Sequence, residues 1–176
     1  MKLFFLFLII IFTSCNRETE QRAINLPAGG EIEKAILKVN KYITKRNRDH
    51  IRGFIRRTGW EMQQSGSGLW YNLTGQANDS SVSPGDNIRL NYKLYLIDGT
   101  AIASSEYRGA LSFTVGQGGV ESGLEEAVLL MSEGMGARLI IPPHLAYGNF
   151  GYPEKGIPPG AILIYKIELI DIQKNQ

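Results

Sequence analysis

Between residues 88 and 96 the chain alternates strictly. Ile88, Leu90, Tyr92, Leu94 and Leu96 are apolar or aromatic, with Arg89, Asn91, Lys93 and Tyr95 between them. A two-residue period sends successive side chains to opposite faces of a strand, so one face meets a core and the other meets water. Asp98-Gly99 follows at once, a turn pair that returns the chain antiparallel. Other short runs are bounded by turn residues in the same way. Glu61 to Gln64 and Leu69 to Leu73 read as two strands joined by Ser65-Gly66-Ser67-Gly68, and Leu111 to Val115, Ala137 to Ile141 and Ala161 to Ile172 as further strands. Leu124 to Met131 is the one helical-looking stretch in this half. These elements specify an α+β domain built on a mostly antiparallel sheet.

The first part of the chain has a different character. Residues 1–68 hold twelve Lys/Arg and six Asp/Glu, residues 69–176 seven and eleven, so a basic front precedes an acidic back although the formal net charge is only +2. Ile32, Ile36, Val39 and Ile43 recur at helical spacing, with lysines largely on the other faces. Asn47-Arg48-Asp49 reads as a break, with Asp49 as the N-cap of a second short helix containing Ile51, Phe54 and Ile55. Gly59 reads as its left-handed C-cap. These basic helices are a solvated spacer or a dimer element, with a lesser possibility of attraction to anionic headgroups.

Met1-Lys2 opens the chain with positive charge, Leu3 to Phe12 is unbroken apolar sequence, and Thr13-Ser14-Cys15 ends it. The run is shorter than the ~20 residues of a membrane-spanning helix and has the length of a signal-peptide core. Phe12-Thr13-Ser14-Cys15 resembles a bacterial lipobox. That resemblance implies a signal peptide over 1–14, lipidation at Cys15 and a tether over 15–30. A basic helical extension with the first strand then occupies 31–68, and the main domain 69–176. It also implies a lipid-anchored envelope protein facing the periplasm, with Asn16 favouring the outer membrane. An ordinary signal peptide with an incidental cysteine is the alternative.

Several chemistries are excluded. The two histidines, His50 and His144, stand in unrelated contexts, so no His-rich metal site is expected. The chain carries no Gly-x-Ser-x-Gly, no P-loop and no candidate nucleophilic cysteine. Its basic segment has few interleaved aromatics, which argues against nucleic acid. Neither metal nor cofactor is expected.

Five motifs remain in the second half. They are Asp98-Gly99-Thr100 leading to Ser104-Ser105, Val115-Gly116-Gln117, Gly123-Leu124-Glu125-Glu126-Ala127, Leu145-Ala146-Tyr147-Gly148, and Ile157-Pro158-Pro159-Gly160-Ala161 running into Ile162-Leu163-Ile164-Tyr165. Their order and spacing over about residues 82–172 resemble the FKBP-type peptidyl-prolyl isomerases. The whole chain is also similar to FKBP-type lipoproteins associated with gliding motility. The resemblance implies a curved antiparallel β-sheet wrapped on one short helix, acting on proline-containing client polypeptides. It implies Tyr147 and Tyr92 as the central site residues. Val120, Leu111, Phe113, Ile157, Tyr165, Ile102 and Leu124 would line the cleft, with Glu121 acting through its backbone N–H. Taken alone, Tyr92, Phe113 and Tyr165 read as ordinary core residues of a buried sheet face, and Leu124 as core rather than ligand contact.

Isomerisation makes no bond, so it needs no nucleophile or general base. A prolyl amide must cross a barrier of about 18–20 kcal/mol, and binding the twisted amide better than the planar one lowers it. The chain departs from the family at two places. Ile102-Ala103 stands where Phe-Asp is usual, and Leu124 where tryptophan forms the pocket base. These changes imply a larger pocket and reduced activity in the folding of exported proteins, or a weakly catalytic or non-catalytic chaperone module using the same cleft.

Overall fold

The structure is a computed structural model and describes residues 29–175. The signal, Cys15 and most of the tether therefore lie outside the described residues. Two compact units divide the chain, residues 1–38 and Val39–Gln176. The described residues of the first are helical, and Ile32 and Ile36 are exposed in it.

The expected pair of helices is one. α1 (Gly29–Thr58) runs for 30 residues without interruption. Asn47 and Asp49 are middling helix formers, but neither lacks an N–H nor clashes with the preceding turn as proline would. Asp49 does not begin a helix. It accepts from the Lys45 Nζ at 3.0 Å, one turn earlier. The expected terminator holds: Gly59 has φ 67° and its N–H donates to the Ile55 carbonyl at 2.9 Å.

The second unit contains a seven-stranded antiparallel sheet. Its strands are β1 (Gln63–Gln64), β2 (Trp70–Thr74), β3 (Asn87–Leu96), β4 (Ala101–Ser104), β5 (Leu111–Thr114), β6 (Gly136–Ile141) and β7 (Leu163–Gln173). The order is β1-β2-β6-β7-β3-β4. β5 pairs with residues 87–90 of β3 and β4 with residues 93–95, so both share one edge of β3. The break between them holds α2 (Ser105–Arg108), a single turn that the strand pattern does not reveal. Register shifts at Arg89/Leu90 and Leu94/Tyr95 interrupt the β3 ladders, and irregularities of this kind bend and twist a sheet.

The concave face closes on α3 (Ser122–Val128), whose Leu124, Ala127 and Val128 are fully buried. They pack with Leu90 of β3, Leu139 of β6 and Leu163 of β7 in one cluster. Burying a side chain of this size contributes about 1.5–3 kcal/mol, so this cluster dominates stability. Contact is close: a Cβ on Gly123 would lie 2.6 Å from the Ile141 Cγ2.

The opposite face is covered too. Ile51 of α1 is buried against Ile140, Ile162 and Ile164, with Phe54, Ile55 and Trp60 around it. The second half of α1, read from the sequence as preceding the main domain of 69–176, therefore shares a core with the sheet.

Candidate active site

A narrow cleft of ≈ 90 Å³ opens where the strand ends meet the loops before α3 and after β6. β3 contributes Tyr92 and Leu94, the edge strands Ile102, Ala103 and Leu111, and β7 contributes Tyr165. The loop before α3 supplies Gly119, Val120 and Glu121, and Tyr147 comes from the segment after β6. Seven of the ten expected site residues are thus brought together. Phe113, Leu124 and Ile157 are not among the lining side chains. They are 8%, 0% and 1% exposed and belong to the concave core. A leucine reaches less far than an indole, so here it fills the space under α3.

Local backbone chemistry fixes Tyr147. Pro142-Pro143 ends β6, because proline cannot donate to a ladder, and Pro143–Leu145 makes one 3₁₀ turn. The Gly148 N–H donates to the Pro143 carbonyl at 2.8 Å, and the Gly160 N–H to the Gly148 carbonyl at 2.9 Å. Tyr152 and Ile157 exchange backbone hydrogen bonds at 2.7 and 3.0 Å. Gly151 is required here. It has φ 68°, and a Cβ would sit 2.5 Å from the Ile157 oxygen.

The walls are aromatic. Tyr92 and Tyr165 have ring centroids 6.3 Å apart, and Tyr147 and Tyr152 5.3 Å apart. The Lys155 Nζ lies 4.5 Å from the Tyr152 ring centroid and 5.7 Å from that of Tyr147. At the floor the Tyr165 hydroxyl donates to Glu121 Oε1 at 2.9 Å, and both residues are buried. Burial, followed by the charge of Glu121, pushes the Tyr165 hydroxyl far above the usual phenol range. Burial, followed by interaction with the same carboxylate, also raises Tyr147. Both phenols are therefore neutral at ordinary pH and can donate. The Tyr147 hydroxyl itself makes no hydrogen bond of good geometry to a described residue, and the Glu121 N–H is unengaged by the described backbone.

This arrangement provides two outward donors in an apolar cleft. It offers no acid–base pair poised for bond breaking, and among the described residues no cluster of His, Cys, Asp and Glu could hold a metal ion. Sequence reasoning missed Arg108, Lys155 and Tyr152, which lie in turns without periodicity, and it missed the Glu121 side chain.

Residues 78–170, more than half of the chain, match the family described as FKBP-type peptidyl-prolyl cis-trans isomerase. The chain belongs to that family. FKBP-type relatives include FkpA of Escherichia coli, 36% identical over 113 residues, which are 64% of this chain and 40% of FkpA. FK506-binding protein 1B of Aspergillus fumigatus is 41% identical over 100 residues, covering 52% of this chain and 82% of that protein. The chain thus spans less than half the length of FkpA but most of the smaller relative. Among solved structures, crystalline FkpA from Escherichia coli aligns with TM-score 0.62 and 29% identity over 84% of this chain and 74% of that one. AtFKBP13 aligns with TM-score 0.60 and 33% identity over 64% and 98%. The expected curved antiparallel sheet with one short helix on its concave face is therefore the FKBP fold.

Proposed function

We propose that the protein catalyses cis–trans isomerisation of Xaa-Pro bonds in polypeptide clients. The observation that carries this reading is the narrow aromatic cleft with two unengaged donors, the Tyr147 hydroxyl and the Glu121 N–H. A proline ring fits an apolar slot. The twisted amide, whose carbonyl has lost resonance and charge, tolerates that slot better than the planar ground state, and this difference is what lowers a rotational barrier. Fixed donors orient the client backbone and hold it while the bond turns. The activity is reduced because Ala103 places a methyl where the resemblance puts a carboxylate. Protease-free isomerisation of an Xaa-Pro peptide by the purified protein tests the reading. Turnover above the spontaneous rate is expected, and a rate equal to it would falsify the enzyme.

The client class follows from the anchor. The apolar run ending in Thr13-Ser14-Cys15 supports lipidation at Cys15 and a place on the periplasmic side of the envelope, the outer membrane favoured, where clients are exported proteins. A role in gliding motility rests on the sequence resemblance. Fatty-acid labelling lost in Cys15→Ser tests the anchor, and soluble, unlabelled wild type contradicts it.

A second reading has its own support. Tyr107 and Phe150, each 89% exposed, flank cleft-lining Arg108 and Tyr147 in sequence and suit a module that grips apolar client segments. Continued suppression of client aggregation by a protein without turnover would favour it.

A further inference from the structure

Among the described residues two carboxylates are buried, and they are treated differently. Asp86 has a cation, the Lys174 Nζ at 2.9 Å, and takes the Ser83 N–H at 2.8 Å. Glu121 has no ion pair with a described residue and is held by the Tyr165 phenol at 2.9 Å. Burying a carboxylate without a cation is costly, and an apolar side chain of similar volume is cheaper for stability. Helix capping does not explain the cost. Glu121 is the N-cap residue of α3, but its side chain makes no capping hydrogen bond. The Gly116 and Gly118 N–H groups nearby are taken by Glu125 instead. Glu121 lines the cleft together with Tyr92, Ala103, Tyr147 and Tyr165, and its carboxylate is tied to the last of these. Arg108 and Lys155 line the same cleft, and neither forms an ion pair with it.

We propose that the Glu121 carboxylate is a positioning residue for isomerisation: anchored by the Tyr165 hydroxyl, it supplies from the α3 side the negative charge that Ala103 does not supply from the β4 side. The proposal rests on the isomerase reading. The Tyr165 hydroxyl donates to the carboxylate at 2.9 Å and fixes it at the cleft floor. Such hydrogen bonds to an ionised acceptor are about twice as strong as neutral ones. The cleft has room for one buried negative charge. A second carboxylate at position 103 would face the first across a dry space, and like charges there cannot both ionise readily.

The test compares wild type, Glu121→Gln, Glu121→Ile and Ala103→Asp with the double variant Glu121→Ile/Ala103→Asp, measuring kcat, KM and Tm on one Xaa-Pro peptide. Glu121→Gln is expected to lower kcat about threefold and Glu121→Ile about tenfold, with KM little changed. Tm is expected to change little in Glu121→Gln, whose amide oxygen still accepts from Tyr165, and to fall in Glu121→Ile, which leaves that buried hydroxyl without an acceptor. Ala103→Asp alone is expected to lower kcat, whereas in the Glu121→Ile background it raises kcat again, since only then does the cleft hold a single carboxylate. Should Glu121→Ile fail to fold, Tyr165→Phe removes the anchoring hydroxyl alone and is expected to lower kcat about threefold. An active wild type with Glu121 variants at parity, or no rescue by Ala103→Asp, overturns the proposal and leaves the isomerase reading standing. An inactive wild type overturns both.

Discussion

The two faces of the sheet are buried by different means. The concave face meets a seven-residue helix and loops, and its cluster joins all three long inner strands with the cleft at its rim. The convex face meets the second half of a 30-residue helix through a small cluster around Ile51, with no catalytic group in it. The concave side thus carries most of the buried core and the candidate cleft, while the convex side shields three isoleucines from water. The candidate cleft lies where loops converge over the sheet, and the longest helix is a cover.

Truncation on each face should separate them most clearly. Leu139→Ala on the concave side removes a fully buried β6 side chain from the cluster it shares with α3 and is expected to cost about 3–5 kcal/mol in urea unfolding, the upper part of the usual range. Ile51→Ala on the convex side is expected to cost about 2 kcal/mol, since half-buried Phe54, Ile55 and Trp60 can close in, and to leave kcat/KM unchanged. Equal losses, or a collapse of activity in Ile51→Ala, would erase the distinction. Ile36→Ala, on an exposed stretch of α1, is the control at within about 0.5 kcal/mol.

Within the concave side, stability and chemistry separate in turn. Gly151→Ala forces a Cβ into the Ile157 carbonyl at positive φ, so it is expected to cost about 1–3 kcal/mol and most of kcat/KM by displacing Tyr147. Tyr147→Phe is expected to lower kcat/KM about tenfold while moving stability by less than about 0.5 kcal/mol. If it unfolds the protein instead, the tyrosine belongs to the core rather than to the cleft.

The smallest effect lies at the start of β3, where Lys174 hydrogen-bonds Asp86 and lowers its pKa below the ordinary 3.8. A folded-state pKa below the unfolded one adds stability that is fully present above about pH 4 and fades as pH falls through the lowered value. Asp86→Asn is expected to flatten the acid limb of the stability profile below pH 4 and leave the region near neutrality parallel to wild type. An unchanged acid limb would mean that Lys174 contributes nothing there.

Much of this architecture was legible in the chain, and the exceptions have physical causes. The alternation of residues 88–96, the Ser65–Gly68 turn and the Gly59 cap are local devices, encoded by residues within a few positions of one another, and each appears as read. Ile140 and Ile162 to Tyr165 are buried on both faces, so their apolar runs show strands without showing what covers them. The Asn47–Asp49 break was a misreading of propensity: polar residues weaken a helix, but burial of Ile51 one turn later carries α1 through. Leu124 read by itself as a core residue and only the family resemblance put it at a pocket base; α3 buries it completely. Glu121 shows the limit most plainly. Its place in the motif was visible, whereas its carboxylate meets Tyr165 across 44 positions, a contact that only closure of β7 against the α3 loop creates. Short-range chemistry was written in the order of residues. Which side chains share the cleft, and which charge sits at its floor, was decided by strands far apart in sequence that hydrophobic burial brings together.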